Sequence, residues 1–202
     1  MHWLVSHGFT PVLVIAAPPV KLNIKRSKKR ITPQGIPCML PSELASNCGA
    51  RYVETPHNSE LTKSALREMD VQVAVILGAR RISKDVIDAL PLGILNMHDG
   101  RLPDNRGLDC IKWAAALSIP QEVTAHLIDE HLDRGRKICS KEVEVLPGDT
   151  FMDVWLRAQA VQRQLMIQSL RKLSYGERDF PLIGKGNYRS SIPQSLEDGL
   201  KL

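Results

Sequence analysis

A chain of 202 residues with 43% apolar and 24% charged residues is long enough to bury a core, and its balance is that of a globular protein rather than a fibrous or disordered one. Aromatic residues make up only 4%, too few for the stacking platforms that hold single-stranded nucleic acid, and the net charge of +5 is modest. Cys38, Cys48, Cys110 and Cys139 form no C-x-x-C pair and lie at no zinc-finger spacing, so they read as reduced thiols of a cytoplasmic protein without a metal site.

Taken in order, Trp3 to Val5 run into His7-Gly8, a helix stop, with Pro11 three residues later. The apolar run Val12 to Ala17 has no charged segment before it and Pro18-Pro19 after it, and it is too short to span a membrane; it predicts a buried strand. Residues 18–37 form a long loop in which Lys21, Lys25, Arg26, Lys28, Lys29 and Arg30 stand without an acid, a cluster that favours a phosphate-bearing partner. The pieces 36–39 and 51–53 are brief extended segments with no chemical signal. Asn58 or Ser59 caps a helix to about Glu68. Val71 to Leu77 predicts a strand buried on both faces, as in a parallel sheet. Ser83 caps a helix with Val86, Ile87 and Leu90 on one side, and Pro91 ends it.

The next strand, Ile94 to His98, places Asn96 and His98 on one face, because strand side chains alternate. The β-α-β-α-β alternation up to this point predicts an open α/β sheet, in which ligands bind beyond the carboxyl ends of the strands. Leu108 to Leu117 is spaced as a helix burying Leu108, Ile111 and Ala115. Two antiparallel strands, Glu122 to Asp129 and Ile138 to Leu146, flank an Asp-x-Gly turn at Asp133. Thr150 and Asp153 have capping-box spacing ahead of a helix burying Phe151, Val154, Trp155, Ala158, Val161 and Leu165, which Gly176 stops. Residues 1–176 read as one domain and 177–202 as a loop or tail. An amide, an imidazole and a carboxylate at Asn96, His98 and Asp133 are the parts needed to stabilise an oxyanion and move protons. His126 and His131 read as supporting the sheet or facing solvent.

The motifs Leu95-Asn96-Met97-His98, Leu102-Pro103, Arg106-Gly107, Val123 to Glu130 and Leu132-Asp133-Arg134-Gly135, in that order and spacing, resemble the folate-dependent formyltransferases, which include methionyl-tRNA, glycinamide ribonucleotide and amino-sugar formyltransferases. The resemblance implies a Rossmann-like, open, mostly parallel sheet and transfer of a formyl group from 10-formyltetrahydrofolate to a primary amine. By position, Asn96 and His98 would polarise the formyl oxygen, and Asp133 would orient the imidazole and help to deprotonate the amine. Leu77, Gly78, Leu95 and Asp129 would contact the donor. Arg101 and Arg106 flank the expected cleft, where they would meet the folate glutamate or an acceptor phosphate.

The chain departs from that family in two ways. Relatives open with a strand, a glycine turn and a helix, and Met1 falls near the end of that helix, so the fold is expected to be N-terminally shortened by roughly one strand and one helix. A mis-set start, closure of the gap by a homodimer, and a non-catalytic folate-binding relative are the readings this leaves. Asp99-Gly100-Arg101 also replaces the usual Pro-Ser-Leu, which bears on the acceptor more than on the reaction. A small acceptor, a nucleotide-linked amino sugar above all, is expected ahead of tRNA, and formate release without an acceptor would mark a hydrolase.

Overall fold

The computed structural model describes residues 1–20, 29, 39–78 and 80–202, and most of the basic cluster, with Cys38, lies outside them. The chain divides into two compact units, the first drawn mainly from residues 1–23 and 36–95 and the second mainly from residues 96–202.

In the first unit, α1 (His2–Ser6) ends as expected at His7, with the Gly8 N–H bonding to Val5 O. The strand β1 (Leu13–Ala16) pairs in parallel with β2 (Arg51–Glu54), Leu13 opposite Arg51. Between them lies α2 (Pro41–Asn47), an element the sequence reading passed over. Its signals are local: Pro41 opens the first turn and the Glu43 carboxylate accepts the Leu40 N–H. In α3 (Glu60–Glu68) the cap is Ser59, whose Oγ accepts the Thr62 N–H at 3.1 Å. Asn58 instead bridges to the next helix, donating to Arg81 O and accepting the Ser83 N–H.

The strand expected over 71–77 is shorter. Only β3 (Ala74–Val75) is strand, half-buried, and Leu77 is 67% exposed. The reason is its neighbours: β3 pairs with the start of β4 (Ile94–His98), and among the described residues no strand pairs with its other edge. Before β4 comes α4 (Lys84–Ile87); Val86 in it, Leu90 after it, and Ile94 and Leu95 at the start of β4 are all buried.

In the second unit the end of β4, residues 96–98, neighbours β6 (Glu122–Leu127), which pairs antiparallel with β7 (Arg136–Glu142). The preceding short strand β5 (Arg106–Gly107) and the helix α5 (Cys110–Leu117) correct the expected helix over 108–117. Leu108 is outside it and 53% exposed, because the helix phase buries Cys110, Ile111 and Ala114. The long helix α6 (Phe151–Ser174) packs on β6 and β7, and its capping box is formed by Thr150 and Asp153. Its apolar stripe continues beyond Leu165 through Met166, Leu170 and Leu173, while Trp155 is only half-buried. The tail is not a bare loop. It forms β8 (Tyr188–Arg189), parallel to β5, and the single turn α7 (Gln194–Glu197), elements too short to leave a periodic pattern.

The tail is held by polar contacts as well as by buried Ile183 and Ile192. Lys112 and Glu197, both almost fully buried, form an ion pair at 2.6 Å, Trp113 donates to Ser190 O, and the Asp109 carboxylate accepts the Ile192 N–H. Gly107 must be glycine for this arrangement, since a Cβ there would lie 1.9 Å from Arg189 O. Among the described residues no helix is long and apolar enough to cross a membrane.

Candidate active site

The end of β4, the 99–107 loop, β6 and the turn between β6 and β7 converge on one group of polar side chains, all in the second unit. His98 is 7% exposed. Its Nε2 lies 2.8 Å from Asn105 O, an acceptor only, so Nε2 carries a hydrogen. The Nδ1 atom lies 3.4 Å from Asp133 Oδ1, long for a hydrogen bond but close enough for charge to matter. Asp133 sits in left-handed backbone, φ 49°, a conformation that aspartate tolerates in turns, and its other oxygen accepts the Gly107 N–H at 2.8 Å.

Asn96 is half-buried, and its Nδ2 bonds to His126 Nε2 at 3.1 Å. His126 is fully buried, and desolvation lowers its pKa to about 4, aided by the neighbouring His98 charge. A neutral imidazole has one donor and one acceptor. Because His126 Nδ1 faces the Arg134 carbonyl at 2.9 Å, Nδ1 holds the hydrogen and Nε2 accepts from the Asn96 amide. The orientation of the Asn96 amide is thereby fixed, with a second N–H left over. The β-bulge between Ala125 and His126 alters the register there, so simple alternation along β6 gave no warning of this contact.

The 99–107 loop owes its path to several residues the sequence reading did not single out. Thr124 Oγ1 donates to Gly100 O and accepts the Leu102 N–H. A Cβ on Gly100 would lie 2.4 Å from Asn105 O and 2.9 Å from His98 Nε2, which explains a glycine in the Asp99-Gly100-Arg101 segment. Asp99 turns away to accept from Gln162, and burial raises its pKa. The Cys110 thiol donates to Gly107 O, and burial pushes its pKa upward, so it remains protonated.

The residues expected to contact the donor are divided between the two units. Leu95 is fully buried and its carbonyl accepts the Ile76 N–H, so it supports the sheet and presents no side chain to a ligand. Leu77 and Gly78 lie exposed in the first unit. Asp129 accepts the His131 N–H at 2.8 Å, within its own turn. Arg106 is not free for a phosphate either: it is buried, and its guanidinium donates to Gly186 O and Leu132 O, bracing the turn that carries Asp133.

Residues 8–170 match the family described as Formyl transferase. This chain belongs to that family. Among curated formyl transferases, the methionyl-tRNA formyltransferase of Koribacter versatilis is 30% identical over 135 residues, 66% of this chain and 43% of that protein. The Solibacter usitatus enzyme of the same name is 32% identical over 113 residues, 55% of this chain and 36% of its own length. The chain thus spans less than half the length of these relatives. Among solved formyl transferase structures, phosphoribosylglycinamide formyltransferase from Bacillus halodurans aligns at a TM-score of 0.65 and 22% identity, covering 84% of this chain and 83% of that one. The formyltransferase PseJ from Anoxybacillus kamchatkensis, solved with a UDP-linked formamido sugar and tetrahydrofolate, aligns at 0.61 and 20% identity, covering 89% and 86%. These likenesses establish the Rossmann-like fold.

Proposed function

We propose that this formyl transferase moves a formyl group from 10-formyltetrahydrofolate to the primary amine of a small phosphate-bearing acceptor, a nucleotide-linked amino sugar first among them. The observation that carries the reading is the Asn96 amide, half-buried and locked by neutral His126, with an N–H left to meet an oxygen that gains negative charge as the amine adds to the formyl carbon. That unspent donor fits the formyl end of the donor molecule, which supplies the one-carbon unit. His98, already donating from Nε2 to Asn105 O, has Nδ1 beside the Asp133 carboxylate. A proton leaving the amine can be received at Nδ1 and stabilised by that charge, then returned to the departing tetrahydrofolate nitrogen.

A methionyl-tRNA acceptor is the second reading, supported by the names of the curated relatives and by the basic cluster in residues 21–30. The test is to incubate the chain with 10-formyltetrahydrofolate and each acceptor in turn, measuring donor consumption and the formamide product by mass. Acceptor-dependent product with an amino sugar nucleotide supports the first reading. Product with methionyl-tRNA alone, at an affinity falling steeply with salt, replaces it with the second. Donor loss as free formate, or no loss with any acceptor, rejects formyl transfer for this chain.

A further inference from the structure

The second unit contains a cleft of about 700 Å³, within the range of small-molecule sites, between the 101–104 loop, the end of α5 and the start of β8. Three cations line it, Arg101, Lys185 and Arg189, against one carboxylate, Asp104. That carboxylate faces Arg101 at 3.5 Å, which leaves the lining with an excess of two positive charges. We propose that this cleft is a phosphate-binding site with Arg101, Lys185 and Arg189 as its ligands.

The backbone around it is rigidly placed. A Cβ on Gly186 would lie 2.0 Å from Pro103 O, and Arg106 donates to Gly186 O, so Lys185 is held at the rim by a close backbone approach. Lys185 itself is exposed, with no ion-pair partner among the described residues. Arg189 is pre-organised: its Nη1 donates to Asp104 O at 2.6 Å, and its guanidinium lies 5.9 Å from the centre of the Trp113 ring. One edge of the guanidinium is thereby fixed while its other nitrogens remain for a ligand, the planar fork that suits phosphate oxygens. Ser118 and Asn187 add neutral polar groups to the lining. The carbonyl end of α5 opposes an anion, but with partial charges against a net two formal positive ones.

The phosphate has two sources, the acceptor of the proposed formyl transfer or a separate phosphorylated effector. Only the first rests on that reading. Calorimetric titration of the full chain with inorganic pyrophosphate tests the site itself, independently of any transfer activity. Lys185→Glu, and separately the double change Arg101→Ala with Lys185→Ala, should weaken binding at least tenfold, whereas Lys25→Ala with Arg26→Ala should not. Binding within twofold of the parent in both cleft variants, or no measurable binding by the parent, overturns the site. Far-UV circular dichroism confirms folding, and these cleft side chains are exposed. If the acceptor supplies the phosphate, Lys185→Ala raises KM for a phosphorylated acceptor and leaves kcat alone. If an effector does, pyrophosphate binds equally well to the acceptor-saturated chain.

Discussion

His126 Nε2 accepts a hydrogen bond from Asn96 Nδ2 at 3.1 Å, and the Arg134 carbonyl on the far side of the ring leaves it no other role. The tautomer of one histidine therefore sets the direction of an amide on a neighbouring strand.

Removing that acceptor should damage turnover without unfolding the chain. His126→Leu is expected to lower kcat by up to about a hundredfold, the scale of a small misplacement of a reacting group. His126→Gln, which retains an acceptor oxygen, should recover part of it. Equal rates for the leucine and glutamine variants would remove the orienting role.

At the groups assigned to the chemistry the effects should be larger. Asn96→Ala is expected to lose at least about a hundredfold in kcat, the usual loss of one oxyanion donor, and His98→Ala at least about a hundredfold as the loss of a proton relay. Steady-state kinetics with a saturating acceptor decide it, and parental turnover in either variant sinks that assignment.

Acid should destabilise the fold through His126. Its folded pKa of about 4 lies below the ordinary histidine value of 6.5. Between those values the unfolded chain holds a proton that the folded chain refuses, so stability falls as pH drops from 6.5 towards 4 and is unaffected above. The full loss is on the order of 3 kcal/mol. Urea titrations at pH 7.5 and 4.5 should show a smaller acid loss in His126→Gln than in the parent.

Gly100→Ala forces a methyl group against the Asn105 carbonyl and the His98 ring. A cost of about 1–3 kcal/mol is expected, as for overpacking elsewhere. The bond from His98 Nε2 to Asn105 O should be lost with it, so activity and melting temperature fall together. A melting temperature within a degree of the parent's would show that the loop has room to yield.

Lys112→Met removes the cation 2.6 Å from the buried Glu197 carboxylate and should cost about 3–5 kcal/mol. Adding Glu197→Gln removes the buried negative charge as well and should restore much of that stability. Equilibrium unfolding of both variants measures the difference, and equal losses would contradict the pairing.

Much of the fold was legible because its signals are local or strongly periodic. Ser59, Ser83 and the Thr150-Asp153 box marked helix starts, and two antiparallel strands do flank Asp133, although the first ends at Leu127 rather than Asp129 and the second covers Arg136–Glu142 rather than 138–146. The strand at 71–77 was overextended because an apolar run says nothing about how many neighbours the chain supplies. Of the site, Asn96, His98 and Asp133 lie in sequence motifs. His126, Asn105 and Gly100 act through a bulge and a loop whose geometry no spacing encodes, and Arg106 looked available only because its backbone partners lie 26 and 80 residues away.

The pairing of β5 with β8 joins the stability of the tail to that of the turn bearing Asp133. The Gly107 amide donates to Asp133, and the next amide, on Leu108, donates to Arg189 O in the tail. These two protons should exchange with solvent at similar free energies of opening, as members of one foldon, so tail fraying is also a transient loss of the carboxylate's anchor.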